Sequence, residues 1–267
     1  MGDNKREMPR TVDEGFRDLL TRLTPTLTEG QAAKDHRASI ESCLKTNFNI
    51  TRFFRTGSFG NGTSISGYSD VDYFASIPSD KISQNSLNTL TRVRDAMDYR
   101  FPRTGVRVDC PAVAVPFGRD VGESTEIVPA SLNSVVKFSN EDCIVYDISD
   151  CNGGWIKSSP DLHMLYVRIT DQKLNNKVKP LIRFVKAWKY YQNVPISSFY
   201  LELRVTKFVE NMSLIFYEID LKSIFEHLYD VGLASMQDPK GVSGYISACN
   251  TAIQLEDAKS KLLTAMT

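Results

Sequence analysis

The chain has 267 residues, of which 42% are hydrophobic and 24% charged, with 32 Lys plus Arg against 32 Asp plus Glu. That ordinary globular make-up suits one large or two smaller lobes, and no apolar run approaches the roughly 18 residues needed to span a bilayer. Balanced charge provides no global positive field for long nucleic acid, so a small charged substrate suits the chain better than a polymer does.

The opening stretch MGDNKREMPRTVDEGF lacks the apolar centre of a secretory signal, which predicts a cytoplasmic protein. Residues 11–23 and 29–45 read as amphipathic helices, the first with Phe16, Leu19, Leu20 and Leu23 on one side. Strands are expected at 50–55 and 71–77, on either side of a Gly/Ser-rich segment, followed by a helix reaching about Tyr99. From 106 to 146 the pattern shortens to the β-like pieces VRVDC, AVAVPF, TEIVPA, SVVKF and CIVYDI, punctuated by Pro, Gly and Asn. After GGWIKSSPDL the period turns helical over 162–174, 178–192, 198–212, 221–233 and 244–266. The expected fold class is α+β, a mixed-sheet lobe with N-terminal helices over 1–158 and a helical lobe over 159–267, with the site in the cleft between them. Cys43, Cys110, Cys143, Cys151 and Cys249 form no C-x-x-C pair, which predicts free thiols rather than disulfides or zinc ligands.

In SDVDYFASI, Asp70 and Asp72 stand one residue apart, and on a strand that spacing sends both carboxylates to one face while Val71, Tyr73 and Ala75 take the other. Two like charges about 4 Å apart repel by roughly 4 kcal/mol at an effective dielectric near 20, so a cation or proton must offset them. Such hard oxygen ligands suit magnesium or manganese. Asp109, in GVRVDCPAVAVPF, is the third carboxylate considered; a strand-end Asp is commonly a turn or cap residue, and its weight comes from the company of the pair. Ahead of the pair, Gly57 and Ser58 end a strand, and Gly60, Gly62 and Gly67 permit close backbone approach, so the segment can cradle a phosphate beneath a mobile cover over 60–68.

Between Gln172 and Leu201 no acidic residue occurs, yet Lys173, Lys177, Lys179, Arg183, Lys186 and Lys189 do. A solvated helix face usually mixes signs, so this stripe reads either as such a face or as one meeting a triphosphate. His36, His163 and His227 lack metal-ligand spacing and read as structural, and no Ser-His-Asp or Cys-His set stands out.

The segment GSFGNGTSISGYSDVD resembles the G-S then D-x-D signature of the polymerase-β-like nucleotidyltransferases, and is most similar to their cGAS/DncV-like branch, the CD-NTases of bacterial CBASS antiphage systems. RVDCPAVAVPF resembles that family's third-aspartate strand, EIVPA the next strand, and LIRFVKAWKYYQNVPISSFYLE the helix pair facing the nucleotide. The resemblance implies a template-independent enzyme joining nucleoside triphosphates, ATP or GTP foremost, into a cyclic di- or trinucleotide whose effector is activated by the product. It implies two Mg2+ or Mn2+ ions on Asp70, Asp72 and Asp109, and a donor held by Gly57, Ser58, Lys186 and Ser198 with its base on Phe199 or the adjacent Tyr200. No requirement for long nucleic acid and no membrane contact are expected. The alternatives are a nucleotidyltransferase acting on RNA ends or a protein, and a non-catalytic nucleotide-binding or antitoxin-like module.

Overall fold

Thr11 starts the first helix with a capping box: its hydroxyl accepts the Glu14 N–H at 3.2 Å, and its own N–H donates to the Glu14 carboxylate at 2.8 Å. The computed structural model describes residues 11–68, 70–117 and 123–266, so the stretch 1–10 that was read for a secretory signal lies outside the described residues. The elements run α1 Val12–Leu23, α2 Leu27–Phe48, β1 Arg52–Arg55, α3 Gly57–Asn61, β2 Val71–Ser76, α4 Ser86–Arg100, β3 Arg107–Asp109, β4 Ala112–Phe117 and β5 Glu123–Phe138. They continue with β6 Glu141–Ser149, β7 Trp155–Ser158, α5 Pro160–Lys173, α6 Val178–Tyr191, α7 Ser198–Val209, α8 Tyr217–Asp230, β8 Met236–Gln237, β9 Tyr245–Ile246 and α9 Ala252–Met266. No described helix is long and apolar enough to cross a membrane.

The main sheet has the order β1-β2-β5-β4-β3, with β2 parallel to β5 and the neighbouring pairs antiparallel. Strict alternation on three strands decides what lies beneath it. Val71, Tyr73 and Ala75 of β2, Val113 and Val115 of β4 and Ile127 of β5 pack with Ile40 and Leu44 of α2 and with Leu90, Val93 and Met97 of α4. Their alternates, Asp72, Phe74, Ala112, Glu126 and Val128, are left on the opposite face and line one cavity.

The pieces TEIVPA and SVVKF are one continuous strand rather than two. Its first half pairs with β2 and β4 and its second with β6, and the register slips between Leu132 and Ser134. Asn133 sits in that slip, its side-chain amide donating to both Asp147 carboxylate oxygens at 2.9 Å, so the irregularity re-aims the strand without ending it. The helix expected over 244–266 begins only at Ala252, because Met236–Gln237 and Tyr245–Ile246 pair as a small hairpin with Gly244 in the left-handed region at φ 71°.

Sheet gives way to helix between Ser158 and Pro160, where the Ser159 hydroxyl caps α5 and donates to the Ile144 carbonyl at 2.8 Å. A second core fills the helical half, with Leu181, Val185, Leu201, Val205, Leu228 and Leu262 in it. α1 packs on this half, through Phe16, Leu19, Leu20 and Leu23 against Phe184 and Ala187 of α6, although it was grouped with the sheet from sequence.

The expectation of free thiols is corrected at one pair. Cys110, in the β3–β4 turn, and Cys151, in the β6–β7 turn, form a disulfide, while Cys43, Cys143 and Cys249 are free. Two turns far apart in the chain meet at one end of the sheet, a proximity that cysteine spacing alone does not encode.

Candidate active site

β2 and β5 run side by side with Asp72 opposite Glu126, so the two carboxylates project from neighbouring parallel strands onto the cavity face. Burial, then Glu126, Asp70 and Glu202, push the Asp72 carboxyl well above the usual range against the opposing pull of Lys186. Burial followed by Asp70 and Asp109 raises Glu126 as well. Asp70 is raised by burial, with Asp109 adding to it, while a Ser124 hydrogen bond and Arg107 work the other way. Burial and mutual repulsion therefore disfavour the ionised form of all three carboxyls, which their protein neighbours only partly offset.

Asp109 stands differently. It ends the edge strand β3, opposite Ala112, its side chain is 57% exposed, and Arg107 lies 3.9 Å from it. It lines the same cavity, but β5 and β4 separate it from β2, and Glu126 occupies the position beside Asp72. Sequence reasoning passed over Glu126; the signal available was a lone acid within the apolar strand TEIVPA, on the face opposite its buried neighbours Thr125 and Ile127.

In kind, Asp70, Asp72 and Glu126 fit a hard divalent cation: all are oxygen donors and their charges are mutually unfavourable. Among the described residues, no group of three His, Cys, Asp or Glu side chains stands in a geometry that could hold a metal ion.

The Gly/Ser segment is less loop-like than expected, since Gly57–Asn61 forms a short helical turn ended by Gly62 at φ 68°. Gly57, at φ 55°, lies so close to the pair that an added Cβ would stand 1.8 Å from Asp72 Oδ2. A Gly57→Ala exchange must therefore displace that carboxylate, and we expect roughly hundredfold lower turnover, the scale of an ångström-sized misplacement, measured as initial rate with fold checked by circular dichroism.

Opposite the sheet, α7 brings Ser197, Ser198 and Phe199 into the cavity, whose volume is about 460 Å³. Phe199 is 38% exposed, whereas Tyr200 is fully buried and donates its hydroxyl to the Ala234 carbonyl at 2.9 Å, so only the first ring of the Phe-Tyr pair faces the cavity. Ser198 Oγ accepts Lys189 Nζ at 2.8 Å and lies 3.1 Å from the Tyr190 hydroxyl.

Lys186 does not reach this cavity. It is fully buried and binds Glu202 at 2.8 Å; the same carboxylate accepts from Thr63 at 2.5 Å and from Asn61 at 2.8 Å. Burial works against ionising Glu202, yet Lys186 with Thr63 and Asn61 outweighs it and holds the carboxyl below its ordinary value. The rest of the basic stripe is also engaged: Lys173 with the Glu210 carbonyl, Lys177 with the Ile215 carbonyl, Lys179 with Asp171 at 3.9 Å and Arg183 with the Ser64 carbonyl. A stripe without acids in its own sequence finds its oxygens on other elements.

A mixed sheet with acids on adjacent strands, a Gly-Ser turn packed against one of them and a helical half closing the cavity form a fold that solved structures share. CdnC of Escherichia coli MS115-1 with ATP superposes with a TM-score of 0.72 at 18% identity, over 94% of this chain and 89% of that one. CdnE of Elizabethkingia meningoseptica, a cyclic dinucleotide synthase with GTP and Apcpp, gives 0.70 at 17% identity over 96% and 98%. Vibrio cholerae DncV, a cyclic AMP-GMP synthase holding a linear intermediate, gives 0.64 at 15% identity over 80% and 62%.

Residues 10–168 match the model of the Second Messenger Oligonucleotide or Dinucleotide Synthetase (SMODS) domain, and the chain belongs to that family. A probable cyclic nucleotide synthase of Bacillus cereus strain VD146 is 30% identical over 141 residues, 51% of this chain. The matched region spans 41% of that curated relative's length.

Proposed function

We propose that the chain is a template-independent nucleotidyltransferase that joins nucleoside triphosphates into a cyclic di- or trinucleotide and releases pyrophosphate. The observation that carries the reading is the in-register pair Asp72 and Glu126 facing Ser198 and Phe199 across one cavity, with Gly57 against Asp72. Asp70, Asp72 and Glu126 would hold the divalent ions, Glu126 taking the part first given to Asp109. Bound Mg2+ or Mn2+, two ions in this reading, offsets phosphate charge and acidifies the acceptor hydroxyl. Gly57 and Ser58 give the donor phosphates a close backbone approach, and Phe199 offers a stacking surface worth about 1–3 kcal/mol with little base preference. The acceptor hydroxyl attacks the α-phosphorus in line, pyrophosphate leaves, and turning the linear intermediate in the same cavity allows the second attack that closes the ring.

The triphosphate cation is Lys189 rather than Lys186, since Lys189 sits on Ser198 and pairs with no carboxylate among the described residues, whereas Lys186 is committed to Glu202. Burial, with the charge of Lys186 adding to it, brings the Lys189 ammonium down to about 8. The cationic form is the one that attracts phosphate, so affinity is full below that value and falls as pH rises through it. We expect roughly tenfold weaker binding of a non-hydrolysable triphosphate at pH 9.5 than at pH 7, read by calorimetry at fixed Mg2+, with Lys189→Met removing the pH dependence.

Family membership supports a role in antiphage signalling, in which the product activates an effector. The internal engagement of the basic stripe supports activity without long nucleic acid. The reading is tested by following pyrophosphate release from mixed nucleoside triphosphates with Mg2+ or Mn2+ and no polymer: release is expected, and an absolute requirement for RNA or DNA would overturn it.

A further inference from the structure

His163 reads from sequence as a core histidine, and it is indeed 95% buried, yet its surroundings are those of a support for the cavity wall. It stands in the first turn of α5, lines the cavity, and meets the Phe199 ring at a centroid distance of 4.9 Å and an interplanar angle of 63°. On its other side Nε2 forms no hydrogen bond and lies 3.6 Å from Oδ2 of Asp238, whose side chain is fully buried. Asp238 is held in turn by the N–H groups of Lys240 and Val242, each at 2.9 Å, and of Ser243. One imidazole thus joins three elements: α5, the α7 terminus that carries Phe199, and the 238–243 turn between β8 and β9.

We infer that His163 is a positioning residue for the donor base: its ring fixes the tilt of Phe199, and Asp238 fixes its ring. The inference rests on the reading that Phe199 stacks on the nucleobase. Phe199 is partly exposed and sits at the very start of α7, where the helix gives it the fewest neighbours, so without the imidazole edge it is free to change rotamer and a bound base must reorder it. Affinity for the stacked base then depends on the 238–243 turn, which does not line the cavity itself.

The test is a double-mutant cycle on binding, which needs no turnover. Dissociation constants for non-hydrolysable analogues of the four nucleoside triphosphates are measured with Mg2+ in the wild type, H163A, H163Q, F199A and the two double variants. H163Q keeps a polar side chain beside Asp238 but no ring, and so guards against a folding defect, checked by melting temperature. Both His163 variants should weaken the best-bound analogue about three- to tenfold, the scale of one aromatic pair, and should have no further effect once Phe199 is Ala. Equal weakening in the F199A background, or none in the wild-type background, overturns the inference. F199A binding every analogue as the wild type does overturns the base-stacking reading and the inference with it.

Discussion

Glu126→Gln should lower the rate of nucleotide joining by roughly a hundred- to thousandfold, as Asp72→Asn should, while Asp109→Asn should leave it within about tenfold. The contrast follows from topology: β5 lies directly beside β2 with Glu126 opposite Asp72, whereas Asp109 is exposed on the edge strand two places further out. Initial rates of pyrophosphate release at matched Mg2+ decide the matter. The same exchange should not harm the fold. A carboxyl whose folded pKa is raised costs stability above that pKa and nothing below its unfolded value, so the acid cluster penalises the fold at neutral pH. E126Q should therefore melt at or above the wild-type temperature at pH 7, with the gap closing as pH falls through the raised range. An exchange that removes activity while preserving or raising stability is the behaviour of a functional cluster rather than a structural one.

Lys186→Met is expected to act in the opposite sense, lowering stability by about 3–5 kcal/mol, because it strands the buried Glu202 carboxylate without its cation. Glu202 also receives Asn61 and Thr63, so the loss reaches the Gly57–Asn61 turn and lowers activity indirectly. Replacing both partners, K186M with E202L, should recover much of the stability while leaving the Asn61 and Thr63 donors unmatched. Urea denaturation of the single and double variants reads this directly. An unchanged midpoint for K186M would mean that the ion pair is not buried as described.

What was legible in the sequence was local. Asp72 on a strand, with Asp70 one residue ahead of it, and the helical periods at 162–174 and 178–192 each depend on neighbours within a few residues, and the structure forms them close to where the patterns require, whereas Gly57-Ser58 opens a helical turn instead of ending a strand and the last helix starts at Ala252. Glu126 was not legible because its role is created by a parallel pairing with a strand far away along the chain, and in TEIVPA it reads as an ordinary outward polar residue. Lys186 and Lys189 are three apart and share one helical face, so the choice between them belongs to α7, which places Glu202 under one and Ser198 under the other. The same holds for Phe199 and Tyr200: the sequence offers two adjacent rings, and the packing of α7 on the helical core buries the second. The Cys110–Cys151 bond likewise joins two turns that only the finished sheet brings together.

The central claim, that this site joins nucleoside triphosphates into a ring, is tested most directly by incubating the pure protein with labelled ATP, GTP, CTP and UTP and Mg2+ or Mn2+. The mixture is then treated with phosphatase and the survivors are resolved by chromatography and mass spectrometry. The account predicts a labelled product without terminal phosphates, with the mass of a cyclic di- or trinucleotide, absent when Asp72 is Asn. Label recovered only as free nucleoside, or attached to protein or RNA ends, would contradict it.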